Sequence, residues 1–346
     1  MVDFLKTVLQ GESRWLLILK VLAGISMLAA LFIPEGEAGT LYITNRGSGD
    51  LTIFQEASFQ IDQVIPIGPQ PWGVAVTPDR KAGCVSYSNG LAILDLTKKR
   101  VERHIPLNGQ GMGVAISPDS SWCYVAVNSS GGDRVFAVDR RKGTIEREVS
   151  IGARAFGVYI SPDGNMLYVP EHAGFALSVI ETRFLTLHRR IPLDPFGRRG
   201  FARPHYLAMS PDGRTLYLPF VGLALVAIDT ATLTKSTHPL TINAHQHGIA
   251  ISPDGTKLYL ANNVLGGAGS LSEIDVATLE ELRRFPMDRH HEQVMVDSEG
   301  RHVYLSGGFV MGHRAHDKLT VVNLKNGAII HLETGGELPF GIFRAP

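Results

Sequence analysis

The sequence predicts an all-β fold built from repeated four-stranded blades. Two observations lead to this prediction. The first is an apolar phrase ending in Pro-Asp that occurs five times, as GVAVTPD (73–79), GVAISPD (113–119), GVYISPD (157–163), YLAMSPD (206–212) and GIAISPD (248–254). The second is the spacing, because the copies recur every 40 to 49 residues and a degenerate copy, QVMVDSE, follows at 293–299. A fixed period of this length with strand-type residues is typical of a β-propeller with one blade per repeat.

Each repeat contains four predicted strands. The phrase itself alternates small and branched apolar residues, as an inner strand does, and Pro-Asp-Gly then favours a tight turn. An aromatic second strand follows, such as LYVP (167–170), and then a third strand, such as ALSVIE (176–181). The fourth, outer strand leads into a recurring phrase, such as RIPL (190–193). We interpret the aspartate of each turn as structural, because turn chemistry accounts for it.

The two ends of the repeat region predict how the ring closes. TLYITN (40–45) resembles a second strand with no first strand before it, and PFGIF (339–343) resembles a first strand with no second strand after it. We therefore expect a closing blade shared by the N- and C-termini, in which 339–343 joins residues 40–67. Six repeats and this shared blade predict a seven-bladed β-propeller that occupies 39–346 as one domain. Closure of this kind removes unpaired sheet edges.

Residues 1–38 form a separate segment. Basic residues precede an apolar run at 21–33, and a small-residue site at 36–38 follows it. This pattern is typical of a signal peptide, and the alternative is an uncleaved hydrophobic helix that anchors the protein in a membrane. Both interpretations predict a periplasmic or otherwise extracytoplasmic propeller, with membrane contact only through the helix if it is retained.

The composition limits the classes of partner that we expect. The chain has 33 basic and 33 acidic residues, and we find no basic stripe, so we expect no nucleic-acid partner. The two cysteines, Cys84 and Cys123, fall in second strands of neighbouring blades. We expect them to be separate, packed thiols, because neighbouring sheets rarely bring two Cα atoms within the roughly 7 Å that a disulfide requires.

The histidines are unevenly distributed over the predicted fold. We call the face opposite the Pro-Asp-Gly turns the top face; it carries the entries to the inner strands and the exits from the second strands. Eight of the 13 histidines map to it, all from consecutive repeats. They are His172, His205, His245, His247, His290, His291, His313 and His316.

Imidazole is the commonest protein ligand of copper, zinc and iron, so this grouping suggests a metal site. His245 and His247 project from one side of an extended segment, and His205 and His291 enter from the flanking blades. The hypothesis is a copper, iron or haem site formed by the first six histidines of that group. The alternative is a polar funnel whose histidines bind water, an anion or a partner.

Other top-face residues are predicted to bind a ligand at the channel mouth. Arginines suit an anion, and the aromatic residues either line the channel or pack in the hub. The candidates are Arg154, Arg203, Trp72, Phe156, Glu171, Glu292 and Asn262. No G-x-S-x-G, Gly-rich phosphate loop or H-E-x-x-H occurs, so the sequence assigns no catalytic residue and leaves open whether the protein is an enzyme.

The repeat resembles the YVTN-type β-propeller repeat, in which an S-P-D-G turn precedes an L-Y-V-x-N strand. ISPDGTKLYLANN (251–263) is the closest copy, and the resemblance covers roughly residues 40–346. Similar propellers occur in nitrous oxide reductase, where hub histidines hold a copper–sulfide cluster, in haem-d-binding nitrite reductases and their assembly factors, in amine dehydrogenase heavy subunits, and in lactonases. The Asp-x-His-His-x-His run of nitrous oxide reductase is missing here. By analogy with the haem-d propellers, His205 or His247 would ligate iron, and Arg154 and Arg203 would hold the haem carboxylates.

Three functions remain open at this point. The first is an exported propeller that binds a small ligand or a partner protein at its top-face channel mouth. The second is a metal- or haem-binding redox or cofactor-assembly protein that uses the top-face histidines. The third is a propeller lactonase.

Overall fold

A computed structural model describes residues 39–193, 203–220, 224–240, 245–264, 268–307 and 317–345. The chain divides into two compact units, Met1–Ala38 and Gly39–Pro346. The predicted signal peptide or anchor, and the loop carrying His313 and His316, lie outside the described residues. Within the described ranges, no helix has the length and apolar character needed to cross a membrane.

The described chain is all-β and contains 26 strands. In the first part of the chain these are β1 (Thr40–Asn45), β2 (Asp50–Gln55), β3 (Gln60–Pro66), β4 (Val74–Val76), β5 (Ala82–Asp95), β6 (Arg100–Ile116), β7 (Trp122–Asn128), β8 (Arg134–Asp139) and β9 (Thr144–Ser150). They continue as β10 (Tyr159–Ile160), β11 (Met166–Glu171), β12 (Ala176–Glu181), β13 (Thr186–Pro192), β14 (Ala208–Met209), β15 (Thr215–Phe220), β16 (Ala224–Asp229) and β17 (Lys235–Pro239). The last are β18 (His245–Ile251), β19 (Lys257–Asn263), β20 (Gly269–Asp275), β21 (Glu281–Met287), β22 (Val294–Val296), β23 (His302–Leu305), β24 (Lys318–Asn323), β25 (Ile329–Glu333) and β26 (Pro339–Ala345).

The strands form six antiparallel sheets, and this corrects the expected count of seven blades. Five sheets have four strands, and one has six, in the order β4-β5-β6-β7-β8-β9. The larger sheet spans two sequence repeats because β6 runs without a break from the outer strand of one repeat into the inner strand of the next. The pairing of Ser88 with Gln110 extends the ladder across this junction. Separate four-stranded sheets are therefore found everywhere except at this junction.

The closing sheet matches the prediction from the two ends of the repeat region. Its strand order is β26-β1-β2-β3, so the C-terminal strand supplies the inner strand beside Thr40–Asn45. Thr44 fixes this pairing from inside the hub, since its hydroxyl donates to the carbonyl of Trp72 at 2.9 Å and accepts from the amide of Gly341 at 2.8 Å. The shared closing blade is confirmed.

The repeated Pro-Asp turns are held by one recurring hydrogen bond. In each copy the hydroxyl of the preceding Ser or Thr donates to the turn aspartate, as Ser252 does to Asp254 at 2.5 Å. The same carboxylate accepts the amide of the second residue after it, here Thr256. These bonds favour the ionised carboxylate and lower the pKa of Asp254. The aspartates therefore have the structural role that the sequence predicts.

The core lies between sheets, and a channel runs between the innermost strands. Buried apolar side chains of the second and third strands of each sheet pack against the next sheet. Seven chain segments line a channel of about 610 Å³, two of them from the six-stranded sheet. The channel extends from Trp72 and Phe156 at one end to the prolines of the turns at the other. The hub is therefore open enough to make its mouth a binding site.

The cysteines form a disulfide, which corrects the expectation of separate thiols. Cys84 on β5 and Cys123 on β7 are bonded, with their Cα atoms 6.6 Å apart, and both are fully buried. The expectation was wrong because second strands of adjacent repeats face each other closely here, a distance that strand patterns do not reveal. The bond joins residues 39 positions apart and ties two repeats together.

Candidate functional site

A cavity of about 780 Å³ opens at the mouth of the channel, and we call it the top cavity. Its walls are the loops that enter the inner strands together with the ends of second strands. The lining residues are Arg46, Gln70, Trp72, Gln110, Met112, Asn128, Ser129, Ser130, Asp133, Arg154, Phe156, His172, Arg203, His205, His245, His247, Asn263 and His290.

A repeated backbone conformation presents aromatic side chains to this cavity and the hub beneath it. Gln70, Arg154 and Leu338 occupy equivalent positions before an inner strand, and all three have φ between 51° and 57°. This left-handed conformation turns the chain sharply, and an aromatic residue follows two positions later in each case. Trp72 and Phe156 thereby line the top cavity, whereas Phe340 packs against Trp72 with ring centroids 4.2 Å apart.

Four aromatic rings stack in a row along the top cavity. Trp72 lies on Phe156 with centroids 5.5 Å apart and planes inclined by 13°. Phe156 lies on His205 at 5.5 Å and 4°, and His205 lies on His247 at 4.5 Å and 19°. His172 packs at an angle against His205, 4.3 Å away. Because adjacent rings face one another, the row presents their edges to the cavity, and a planar aromatic group can pack its face against these edges.

His247 is fixed at the end of this row by a buried carboxylate. Its Nδ1 lies 2.8 Å from Oε2 of Glu292, and the two side chains are 14% and 4% exposed. Tyr206 donates a longer hydrogen bond, 3.5 Å, to the other carboxylate oxygen. Burial would lower the pKa of His247, but the charge and hydrogen bond of Glu292 outweigh it and raise the pKa.

The pKa values of the neighbouring imidazoles shift in the opposite direction, downwards. Burial, reinforced by the charge of Arg203, lowers the pKa of His172 to about 4. Burial and the charges of His247 and His172 lower the pKa of His205 well below its usual value. The pKa of His245 is lowered as well, first by burial and then by His247. At neutral pH these three rings are uncharged, so each has one nitrogen that accepts a hydrogen bond.

The cavity retains unused hydrogen-bonding capacity. Nδ1 of His172, Nδ1 of His205 and Nε of Arg203 are buried, and no described residue hydrogen-bonds to them. Such atoms cost free energy unless water or a ligand satisfies them.

The charge of the lining is positive. Arg46, Arg154 and Arg203 face the cavity, and Asp133 is the acidic residue among the described lining residues. Asp133 is engaged with the chain itself, because it accepts the backbone amides of Ser129 and Arg154. The cavity therefore favours an anionic ligand.

Most of the predicted site residues meet at this cavity, and three do not. Trp72, Phe156, Arg154, Arg203 and five histidines line it, and Glu292 contacts it through His247. Glu171 is buried in a sheet, where it binds Arg190, Ser178 and the amide of Gly152. Asn262 donates to Ser272. Nε2 of His291 lies 2.8 Å from the hydroxyl of Thr320.

The geometry of a metal site is not found in the described part of the chain. No group of three or more His, Cys, Asp or Glu side chains is placed there to hold an ion. The imidazoles of His172, His205 and His247 are close, but His205 and His247 stack by their faces and His172 packs at an angle against His205. A copper or iron ion bound by these histidines stays a prediction.

Sequence reasoning did not single out several residues that the cavity uses. Arg46 extends over Trp72, with its guanidinium carbon 4.8 Å from the ring centroid. Its position at the exit of β1 marked it as a top-face residue, but nothing in the sequence shows that it covers the aromatic row. The Glu292–His247 contact was equally hidden, because it joins side chains from different sheets.

The sequence matches no protein-family model and no curated protein. Solved structures with similar folds are numerous. Kuenenia stuttgartiensis hydrazine synthase is 19% identical with a TM-score of 0.64 over 73% of this chain and 76% of that chain. The Pseudomonas aeruginosa periplasmic gluconolactonase PpgL is 16% identical with a TM-score of 0.70 over 90% of this chain and 99% of its own.

A third similar structure is the dihydro-heme d1 dehydrogenase NirN in complex with DHE. It is 15% identical with a TM-score of 0.64, over 84% of this chain and 63% of that chain. At such identities the likeness is one of fold alone. Together with the sheet topology, these matches show that the chain has a β-propeller fold.

Proposed function

We propose that this protein is an exported propeller whose top cavity binds a planar, anionic small molecule. The observation that carries the proposal is the pairing of a row of four aromatic rings with a positive lining. The edges of the rings from Trp72 to His247 offer edge-to-face contact to a planar ligand, and Arg46, Arg154 and Arg203 offer charge. The unsatisfied nitrogens of His172, His205 and Arg203 supply hydrogen-bonding sites for its polar groups.

Export is supported by the disulfide and by the N-terminal sequence pattern. Disulfides persist mainly in oxidising compartments, and the Cys84–Cys123 bond is fully buried. Basic residues followed by an apolar run at 21–33 are typical of an export signal. A periplasmic or otherwise extracytoplasmic location is therefore part of the proposal.

Binding of matched naphthalene compounds to the full chain tests the proposal. We expect naphthalene-2-carboxylate to bind more tightly than 2-naphthamide, which lacks the charge, and than decahydronaphthalene-2-carboxylate, which lacks the flat ring. Each difference should be about tenfold or more, or about 1.4 kcal/mol. Calorimetry measures the three dissociation constants.

Variants locate the binding. Arg203→Gln should weaken naphthalene-2-carboxylate about tenfold through the loss of a charge-assisted hydrogen bond. The matched control is Arg189→Gln on the outer strand β13, an exposed arginine that should leave binding unchanged. Equal affinity for the three compounds, or equal effects of the two variants, would contradict the proposal.

Haem binding is a second candidate, because a haem is a planar ligand with carboxylates. Here the arginines would hold the carboxylates and His205 or His247 would supply an imidazole to the iron. A shift of the haem Soret band on incubation with the native chain, missing with the His205→Ala/His247→Ala double variant, would favour it. The other candidate functions are binding of a partner protein at the top face and lactonase activity. Hydrolysis of glucono-δ-lactone by the full chain tests the lactonase activity.

A further inference from the structure

His247 and Glu292 form a buried imidazole–carboxylate pair on the wall of the top cavity. Nδ1 of His247 is committed to Glu292 at 2.8 Å. Nε2 is therefore the ring nitrogen left for a bound molecule, and the ring lines the cavity. A carboxylate that holds one nitrogen of an imidazole fixes its tautomer and orientation and stabilises the imidazolium when it forms.

Two other contacts keep this imidazole in place. His205 stacks on one face of the ring, 4.5 Å away and nearly parallel. Tyr206 binds the carboxylate oxygen that His247 does not use. Glu292 thus holds the ring at one edge, and His205 holds it on one face. A general base has to be positioned in this way to exchange a proton with a bound ligand.

A positive charge lies near the same pair. Arg46 lies over Trp72 at the cavity wall and is close enough to Glu292 and Tyr206 to interact with them electrostatically. An oxyanion that develops on a ligand packed against the ring row would be stabilised by such a cation. A fixed base and a cation at one cavity are the components that ester hydrolysis needs.

We propose that His247, oriented by Glu292, is a general base that hydrolyses a carboxylic ester carried by the planar, anionic ligand. The proposal rests on the proposed binding function. Nε2 takes a proton from water, whose oxygen forms a bond to the ester carbonyl carbon. The carbon–oxygen bond to the alcohol then breaks, and the proton passes from Nε2 to the departing oxygen. One ester and one water become one carboxylic acid and one alcohol, and His247 returns to its neutral form.

The test uses an ester built on the same ring as the binding probes. The full chain is mixed with 6-acetoxy-2-naphthoate, and release of fluorescent 6-hydroxy-2-naphthoate is measured. The amide 6-acetamido-2-naphthoate has a similar shape and the same charge but resists hydrolysis. Its dissociation constant therefore measures binding alone. We expect turnover by the native chain, and a loss of about 10²- to 10⁴-fold in kcat for His247→Gln, far larger than any change in its affinity for the amide.

A pH profile distinguishes a positioned base from a structural side chain. The titratable or charged side chains around His247 are Glu292, His172, His205, His245, Tyr206 and Arg46. Since Glu292 raises the pKa of His247, the rate should rise with pH through a midpoint above the ordinary pKa of histidine. Glu292→Gln removes the charge and leaves burial unopposed, so the midpoint should move to lower pH.

The outcomes separate the two proposals. His188→Gln, which changes an exposed histidine on β13, is the matched control and should leave rate and midpoint unchanged. Binding of the amide without hydrolysis of the ester overturns the general-base proposal and leaves the binding function standing. Failure to bind the amide and to hydrolyse the ester overturns both. An unmoved midpoint in Glu292→Gln also overturns the role of this pair.

Discussion

His205 and His247 are adjacent imidazoles with opposite tendencies to ionise. Both are largely buried, and burial alone would keep both neutral. Glu292 reverses the effect at His247, and the resulting charge suppresses protonation of the stacked His205. Two identical side chains thus acquire different properties from one carboxylate, which is how sites with separate acid and base groups arise.

The lowered pKa of His172 predicts an acid-dependent loss of stability. The folded protein holds the ring neutral down to about pH 4, whereas the unfolded chain binds a proton below about pH 6.5. The contribution of His172 to the free energy of unfolding is therefore complete above about pH 6.5, its pKa in the unfolded chain. It then falls as the pH is lowered from about 6.5 towards 4.

Urea unfolding of the native chain and of His172→Gln at pH 7.5, 5.5 and 4.5 measures this effect. The free energy of unfolding of the native chain should fall more steeply with acid, because the variant has lost one titrating group. Carboxylates contribute equally to both proteins and cancel in the difference. Parallel pH dependences would show that His172 is not held neutral by the fold.

The sequence predicts those parts of the site that local strand and turn patterns determine. The inner-strand phrase and its Pro-Asp turn are local, so the register predicted which loops share the top face. Five of the eight grouped histidines indeed line one cavity. Contacts between neighbouring repeats are set by the packing distance between blades, which carries no local pattern. The Cys84–Cys123 bond and the pairing of Glu292 with His247 were hidden for this reason, as was the continuous ladder through Ser88 and Gln110.

The disulfide between β5 and β7 should stabilise the junction of two repeats. Its removal in the Cys84→Ala/Cys123→Ala double variant should lower the free energy of unfolding by about 2–4 kcal/mol, mainly because the unfolded chain regains freedom. Urea unfolding measures the loss. The control is the native chain after reduction under denaturing conditions and refolding in the presence of reductant. A variant as stable as the oxidised native chain would exclude this contribution.

On the scale of the whole molecule, an ion pair reinforces the joint between the two ends of the repeat region. Nε of Arg344, on β26, lies 3.0 Å from Oε1 of Glu56, and the side chains are 10% and 4% exposed. Arg344 also donates to the hydroxyl of Ser298 in the neighbouring sheet. The pair therefore links three distant parts of the sequence where the ring closes.

Arg344→Met should destabilise the protein strongly because it leaves the carboxylate of Glu56 buried without its cation. A loss of about 3–5 kcal/mol in the free energy of unfolding is expected. The Arg344→Met/Glu56→Gln double variant should recover part of it, since the buried charge has gone. Urea unfolding of the two variants checks this, and a double variant less stable than the single one would show that the charge is not the cause.

The position of β26 also affects how this protein is made. Its partner β1 emerges from the ribosome roughly 300 residues earlier and presents an unpaired edge until Pro339–Ala345 has been synthesised. During that interval the nascent chain is an open arc that another strand could capture. The export that we propose would prolong the delay. Chaperones that shield strand edges should therefore matter more for this chain than for a protein whose terminal strands are neighbours in sequence.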